Sequence, residues 1–197
     1  LLPMMGAPIV VLLGRRLAWL TSTLLASGAF AVAIALMSLA TGGEPLRYEL
    51  GGWQAPVGIV YVVDYFSSFM LTIVSAVGAM VMVYARTSVK DEIPEERHHY
   101  FYAMLLLCMA GLMGICITGD AFNVFVFLEI SSLSAYALIA MGRSPRALVA
   151  SYRYLVMGTV GGTFVLLGIG MLYMMTGTLN IADLAVRVPT VADKTTI

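Results

Sequence analysis

The stretch TGDAFNVFVFLEISSLSAYALI, residues 118–139, decides the fold. It is too long for a strand and too apolar for the surface of a soluble protein, and from Ala121 to Gly142 the single charged residue is Glu129. A helix crossing the hydrocarbon core of a bilayer, ~30 Å thick, needs ~20 largely apolar residues at a rise of about 1.5 Å each. This stretch meets that requirement. The chain as a whole agrees with it: 60% of its 197 residues are hydrophobic and 11% are charged, and its mean hydropathy is +0.94. Lipid is therefore the solvent in which the rest must be read.

Working outward, Leu17 to Gly43, the run between Asp64 and Arg86, and Tyr100 to Gly119 are free of Asp, Glu, Lys and Arg. Tyr154 to Ala182 is also clean, once a helix beginning near Ala147 has carried Arg153 into the membrane. Leu1 to Gly14 is shorter than a span needs, but Arg15 and Arg16 close it as a flank would. The chain opens on Leu1, so this first helix is expected to be truncated. The reading is an all-α integral membrane protein of six helices, at about 1–14, 17–43, 57–85, 100–119, 121–142 and 147–177, followed by an amphipathic outer segment at 183–197. Membrane-spanning strands would alternate polar and apolar residues, whereas these runs are continuously apolar. The connections are read as a Gly- and Pro-punctuated loop at 42–56, a charged turn at 86–99 and a tight turn at 142–146.

The charges sum to zero, eleven basic against eleven acidic, so nothing in the total points to nucleic acid. Their distribution is asymmetric. Arg15, Arg16, Arg86, Lys90, Arg97, Arg143 and Arg146 fall in alternate loops on one face, and Arg47, Arg187 and Lys194 on the other. Lys and Arg gather on the cytoplasmic side of membrane helices, which places the first set inside the cell and the N-terminus outside.

Glu129 lies nine residues after Asp120, or ~13 Å into the core and close to its midplane. An ionised carboxylate at that depth costs at least ~2.5 kcal/mol, so it must face the bundle interior, take up a proton or find a cation. Arg153 enters from the cytoplasmic end of the sixth helix and is expected ~7 Å from Glu129 in depth, close enough for a pair closed by long side chains or one water. Ser132 and Tyr136 stand three and seven residues beyond Glu129 on the same helical face and offer hydroxyls to a water chain. His98 and His99 lie at the cytoplasmic mouth of the fourth helix, as solvated residues of a helix start or as a proton entry.

Asp64 and Asp120 sit at the outer starts of their helices, where the helix dipole favours a negative cap, with Asn123 in the same cap as Asp120. Gly158 and Gly162, four apart, read as a helix-packing surface. Cys108 and Cys116 are ~12 Å apart along one helix and cannot bridge each other, and no Cys and His cluster has ligand spacing for a metal. The fourteen Met residues are scattered as filler. No cofactor or redox motif stands out.

Three stretches carry a likeness to a known family: GGWQAPVGIVYVVDYF from Gly51, TGDAFNVFVFLEISSLSAYALI from Thr118, and TGTLNIADLAVRV from Thr176. They resemble the antiporter-like subunits shared by Mrp-type cation/proton antiporters, the membrane arm of respiratory complex I and energy-converting hydrogenases, with the D-type subunit of the Mrp antiporters as the nearest likeness. The resemblance implies that Glu129 matches the family's fifth-helix glutamate, which pairs with a basic residue and governs proton movement through a hydrated half-channel. It also implies a bundle of about fourteen helices, some broken near the midplane, of which this sequence would supply the N-terminal part. Relatives commonly carry lysine where this chain has Arg153. Arg keeps its proton, so it would act on Glu129 as a fixed charge rather than relay a proton itself.

The function that follows is an ion-translocating subunit of a multisubunit complex in the cell's inner membrane, moving protons, with Na+ as a candidate exchanged cation. Its expected partners are the other membrane subunits and the lipid around them. The alternative is a proton-pumping or structural subunit of a complex I-like or hydrogenase complex, and a membrane-embedded enzyme is disfavoured because no nucleophile and base stand together. The topology is directly testable in a variant without native cysteines. A cysteine at Arg97 should react with a membrane-impermeant maleimide only from the cytoplasmic side and one at Trp53 only from outside; the reverse pattern overturns the assignment.

Overall fold

The computed structural model describes residues 1–191. Residues 192–197, and with them Lys194 and the end of the expected outer segment, lie outside the described residues. The elements are α1 (Leu2–Leu13), α2 (Ala18–Ala40), β1 (Leu46–Glu49), β2 (Val60–Val63), α3 (Tyr65–Glu92), α4 (His98–Ile117), α5 (Ala121–Ala140), α6 (Pro145–Thr176) and α7 (Ile181–Arg187). Helices α2 to α6 are each long and apolar enough to cross a membrane, whereas α1 is apolar but has 12 residues. The chain is a multi-pass integral membrane protein.

Several boundaries differ from those read in the sequence. The third helix starts at Tyr65 rather than near 57, because Val60–Val63 pairs antiparallel with Leu46–Glu49 to form a hairpin. Tyr and the β-branched Val suit such a ladder, and the turn residues between the two strands hid it. Asp64 then starts α3 through a capping box: its carboxylate accepts the Ser67 N–H at 2.7 Å, and the Asp64 N–H donates to Ser67 Oγ at 2.8 Å. At its other end α3 runs on to Glu92, so the charged stretch after Arg86 begins as helix.

Hydrogen bonds sort the connections into two ends. At one end the α1–α2 turn meets the α3–α4 turn through Arg15 and Glu95 at 3.4 Å. The α5–α6 turn joins them there, as the Arg143 N–H donates to the Glu92 carbonyl and its guanidinium to the Ile93 carbonyl. Nearby, the Arg86 guanidinium stacks over the Trp19 ring at 4.1 Å. At the other end the Gly119 N–H donates to the Val60 carbonyl of the hairpin. The Ile181 N–H donates to the Gly119 carbonyl, and the Ala121 N–H to the Leu179 carbonyl. There α7 is tied back to α6 by Arg187, which donates to the Thr176 carbonyl at 3.0 Å and pairs with Asp183. That guanidinium holds the Asp183 carboxyl below its ordinary range.

Packing follows from small residues. Helix α2 buries a stripe of Ala18, Ser22, Ala26, Ala29 and Ala33, spaced so that each falls on one face and lets its neighbours come close. Helix α4 is central, touching α1, α2, α3 and α5. Its Gly111 and Gly114 bring α5 against it: a Cβ on Gly111 would lie 2.7 Å from the Phe127 carbonyl oxygen and the Ser131 nitrogen, and one on Gly114 would overlap the Phe127 ring. Helix α6 packs along α5 and is the least covered of the long helices.

Because backbone cannot yield as a side chain tip does, Gly111→Ala should force α4 and α5 apart and cost about 1–3 kcal/mol. Gly28, whose Cβ would meet nothing within 4 Å, is the control. Thermal unfolding in detergent checks this: Gly111→Ala should melt earlier, and Gly28→Ala should melt with the wild type.

Candidate functional site

Helix α5 is anchored at its N-terminal end by a buried cap. The Asp120 carboxylate accepts the Asn123 N–H at 2.8 Å, and the Asn123 side-chain amide donates to Thr118 Oγ1 at 2.9 Å. An acidic N-cap satisfies one of the helix's unpaired N–H groups and complements its dipole. The start of α5 is thereby fixed, and with it the depth of Glu129, nine residues on.

Glu129 is half-buried and turned toward α6. A Cβ on Gly162 would overlap its Oε1, so the carboxyl group rests against bare helix backbone. Tyr136 is buried on the same face, and a Cβ on Gly158 would overlap its hydroxyl. The Tyr136 carbonyl accepts a hydrogen bond from Ser151 Oγ at 2.7 Å, and its ring meets Tyr154 edge-on with centroids 4.8 Å apart. These contacts set the antiparallel register: Tyr136 backbone beside Ser151, Tyr136 hydroxyl beside Gly158, Glu129 carboxyl beside Gly162. A polar column thus runs along the α5–α6 seam.

Arg153 does not join it. Glu129 is level with Gly162, nine residues and ~13.5 Å along α6 from Arg153, rather than the ~7 Å expected. The helical turn adds to the separation: two residues beyond Ser151, which faces α5, the chain has rotated ~200°, and Arg153 points away from the seam. It is exposed and shares a shallow surface hollow with Pro145, Arg146, Val149 and Ala150. Among the described residues the ion pairs are Arg15 with Glu95 and Arg187 with Asp183, and the expected Glu129–Arg153 pair is not formed.

The other candidates are placed as follows. Ser132 is half-buried on α5. The buried serines of that helix are Ser131 and Ser134, whose hydroxyls donate to the Leu128 and Ile130 carbonyls. His98 bonds the Ile93 carbonyl at 3.1 Å, the same oxygen that accepts from Arg143. His99 stacks on Tyr100, and its Nδ1 is buried without a partner among the described residues. Both histidines lie at the start of α4, ~22 Å along it from Gly114, which packs on Phe127 near Glu129. The structure brings Glu129 and Tyr136 to one seam and leaves the histidines and Arg153 toward the end of the bundle where α4 and α6 begin. Sequence reading missed Ser151 and the role of the two glycines. The spacing of Ser151, Gly158 and Gly162 by seven and four was a legible small-residue face, but nothing in it said that polar tips fill it.

Comparison with known proteins bears on this arrangement. The family described as NADH:quinone oxidoreductase/Mrp antiporter, TM, matches residues 118–196. The N-type subunit of the NADH-quinone oxidoreductase of Desulforudis audaxviator (strain MP104C) is 50% identical over 86% of this chain and 32% of its own length. The D-type subunit of the Na(+)/H(+) antiporter of Alkalihalophilus pseudofirmus is 39% identical over 71% of this chain and 28% of its own length. A chain in the structure of the membrane-bound sulfane sulfur reductase, an archaeal respiratory membrane complex, superposes with a TM-score of 0.88 at 30% identity, covering 96% of this chain and 39% of that one. The chain therefore spans about a third of the length of the curated relatives it matches. Over that span, it is similar to the antiporter-like membrane subunits common to Mrp antiporters and NADH:quinone oxidoreductases.

Proposed function

We propose that this chain is part of an ion-translocating subunit of a multisubunit complex in the cell's inner membrane, with its N-terminus outside, and that Glu129 takes up and releases the proton. The observation that carries the reading is the direction in which Glu129 points: its carboxyl group lies in the α5–α6 seam against Gly162, with the Tyr136 hydroxyl on the same face. An ionisable group at the middle of a span that merely braced the bundle would be expected to end on a fixed partner. Glu129 instead has no ion-pair partner among the described residues.

Arg153, exposed on the cytoplasmic part of α6, acts in this reading as a fixed positive charge beside the approach to the seam. The field of such a charge falls off with distance and is screened by water, so its influence on Glu129 is weaker than that of a direct pair. Protons are the primary cargo and Na+ is the candidate counter-ion; the neighbouring membrane subunits complete the path beyond these helices. Family resemblance and the names of the relatives support this assignment.

Reconstitution of the intact complex tests it. Glu129→Gln keeps the size of the side chain and removes its acid, and it should cut proton-coupled transport at least about tenfold, equivalent to ~1.4 kcal/mol of barrier, while assembly is unchanged. Wild-type transport by well-assembled mutant vesicles would sink the reading.

A further inference from the structure

We infer that Gly158 and Gly162 are positioning residues for proton transfer: by withholding two side chains from α6, they open a notch in which the Glu129 carboxyl and the Tyr136 hydroxyl stand one helical turn apart. The inference rests on Glu129 being the proton carrier and adds the next group on the cytoplasmic side.

The contacts at the two glycines differ from those of an ordinary helix-packing surface. On α4, Gly111 meets backbone and Gly114 meets an aromatic ring, which is what close packing requires. On α6, the groups filling the space of the missing side chains are a carboxylate oxygen and a phenol oxygen. Three other glycines of the same helix, Gly161, Gly168 and Gly170, meet nothing within 4 Å. The need for glycine is thus confined to the two positions facing polar tips.

Helical geometry explains how the tips reach these places. Glu129 and Tyr136 are seven apart and share a face, with Cα atoms ~10.5 Å apart along α5. Side chains lean toward the N-terminus of their helix, so the long Tyr136 side chain carries its hydroxyl toward the level of Glu129. The glycines that receive the tips are four apart, ~6 Å along α6. That is too far for a direct hydrogen bond and suits one bridging water. Burial of Tyr136, the Ser151 bond to its carbonyl and the edge-on Tyr154 ring hold the phenol in place.

The transfer balances at each oxygen. The protonated carboxyl group gives its proton to the water, the water gives one of its own to the Tyr136 oxygen, and the phenol releases its original proton to a water molecule on the cytoplasmic side of the seam. One O–H bond forms and one breaks at each relay oxygen, so water and tyrosine end neutral and one proton has moved. A methyl group at either glycine would push its tip out of line.

Transport and its pH profile, measured on the reconstituted complex, test this. Gly162→Ala and Gly158→Ala should slow proton-coupled transport on the order of tenfold to a hundredfold, as a ~1 Å misplacement of a transferring group does, and should shift the pH of half-maximal rate. Gly161→Ala should match the wild type in both. In the Gly162→Ala background, Glu129→Asp shortens the acid and should recover part of the rate. Gly162→Ala complexes that transport with wild-type rate and pH profile, while Glu129→Gln is inactive, would overturn the notch and leave the carrier reading standing. Should the alanine variants fail to assemble, Tyr136→Phe decides, since it removes the hydroxyl without filling the notch: a similar slowing supports the inference, and a wild-type rate overturns it.

Discussion

Hydrocarbon offers a carboxylate neither water nor a counter-ion, so a helix that carries one at mid-span must turn it toward protein. That constraint fixes the rotation of α5 about its axis, and the rotation fixes much else. With Glu129 and Tyr136 directed at α6, the neighbouring face presents Phe127 and Ser131 to α4, where Gly111 and Gly114 admit them. Helix α5 is therefore held between two glycine-bearing helices that serve it differently. One accepts its backbone and an aromatic ring; the other accepts its polar tips.

The membrane class, the long apolar helices and the antiparallel placement of α5 beside α6 were all legible in the sequence, because each follows from run length, from the absence of charge and from short connections. The isolated acid in a 22-residue apolar run was legible for the same reason. The hairpin of β1 and β2 was not, since strand propensity in a loop rich in Gly and Pro is a weak signal against the punctuation around it. Nor was the register of α5 against α6. It depends on where Ser151 finds the Tyr136 carbonyl, and a difference of a few residues in that contact moved the level of Glu129 from near Arg153 to Gly162. Depth counted along one helix says little about the rotation of the next, and the rotation is what turned Arg153 outward.

Arg153 illustrates how a sequence can suggest a pair that geometry withholds. Opposite charges on adjacent antiparallel helices invite pairing, yet facing positions recur only on one side of each helix, and Arg153 is two residues out of phase with the Ser151, Gly158 and Gly162 face. Its exposed position leaves the guanidinium available to whatever surrounds α6. His98 and Arg143 show the reverse case, two groups distant in sequence that share one carbonyl oxygen of Ile93.

Helix α6 has a mechanical character of its own. Its start is fastened where Arg143, just before it, bonds to the end of α3, and its far end where Arg187 bonds to the Thr176 carbonyl and Leu179 and Ile181 bond to the α4–α5 turn. Between those fastenings it touches little besides α5. It resembles a beam pinned at both ends, whose deflection under a sideways load is greatest at mid-length. The middle of Pro145–Thr176 falls between Gly158 and Gly162. A sideways load on α6 would therefore be delivered where the carboxyl and phenol groups lie, converting a small bend into a change in the distance between them.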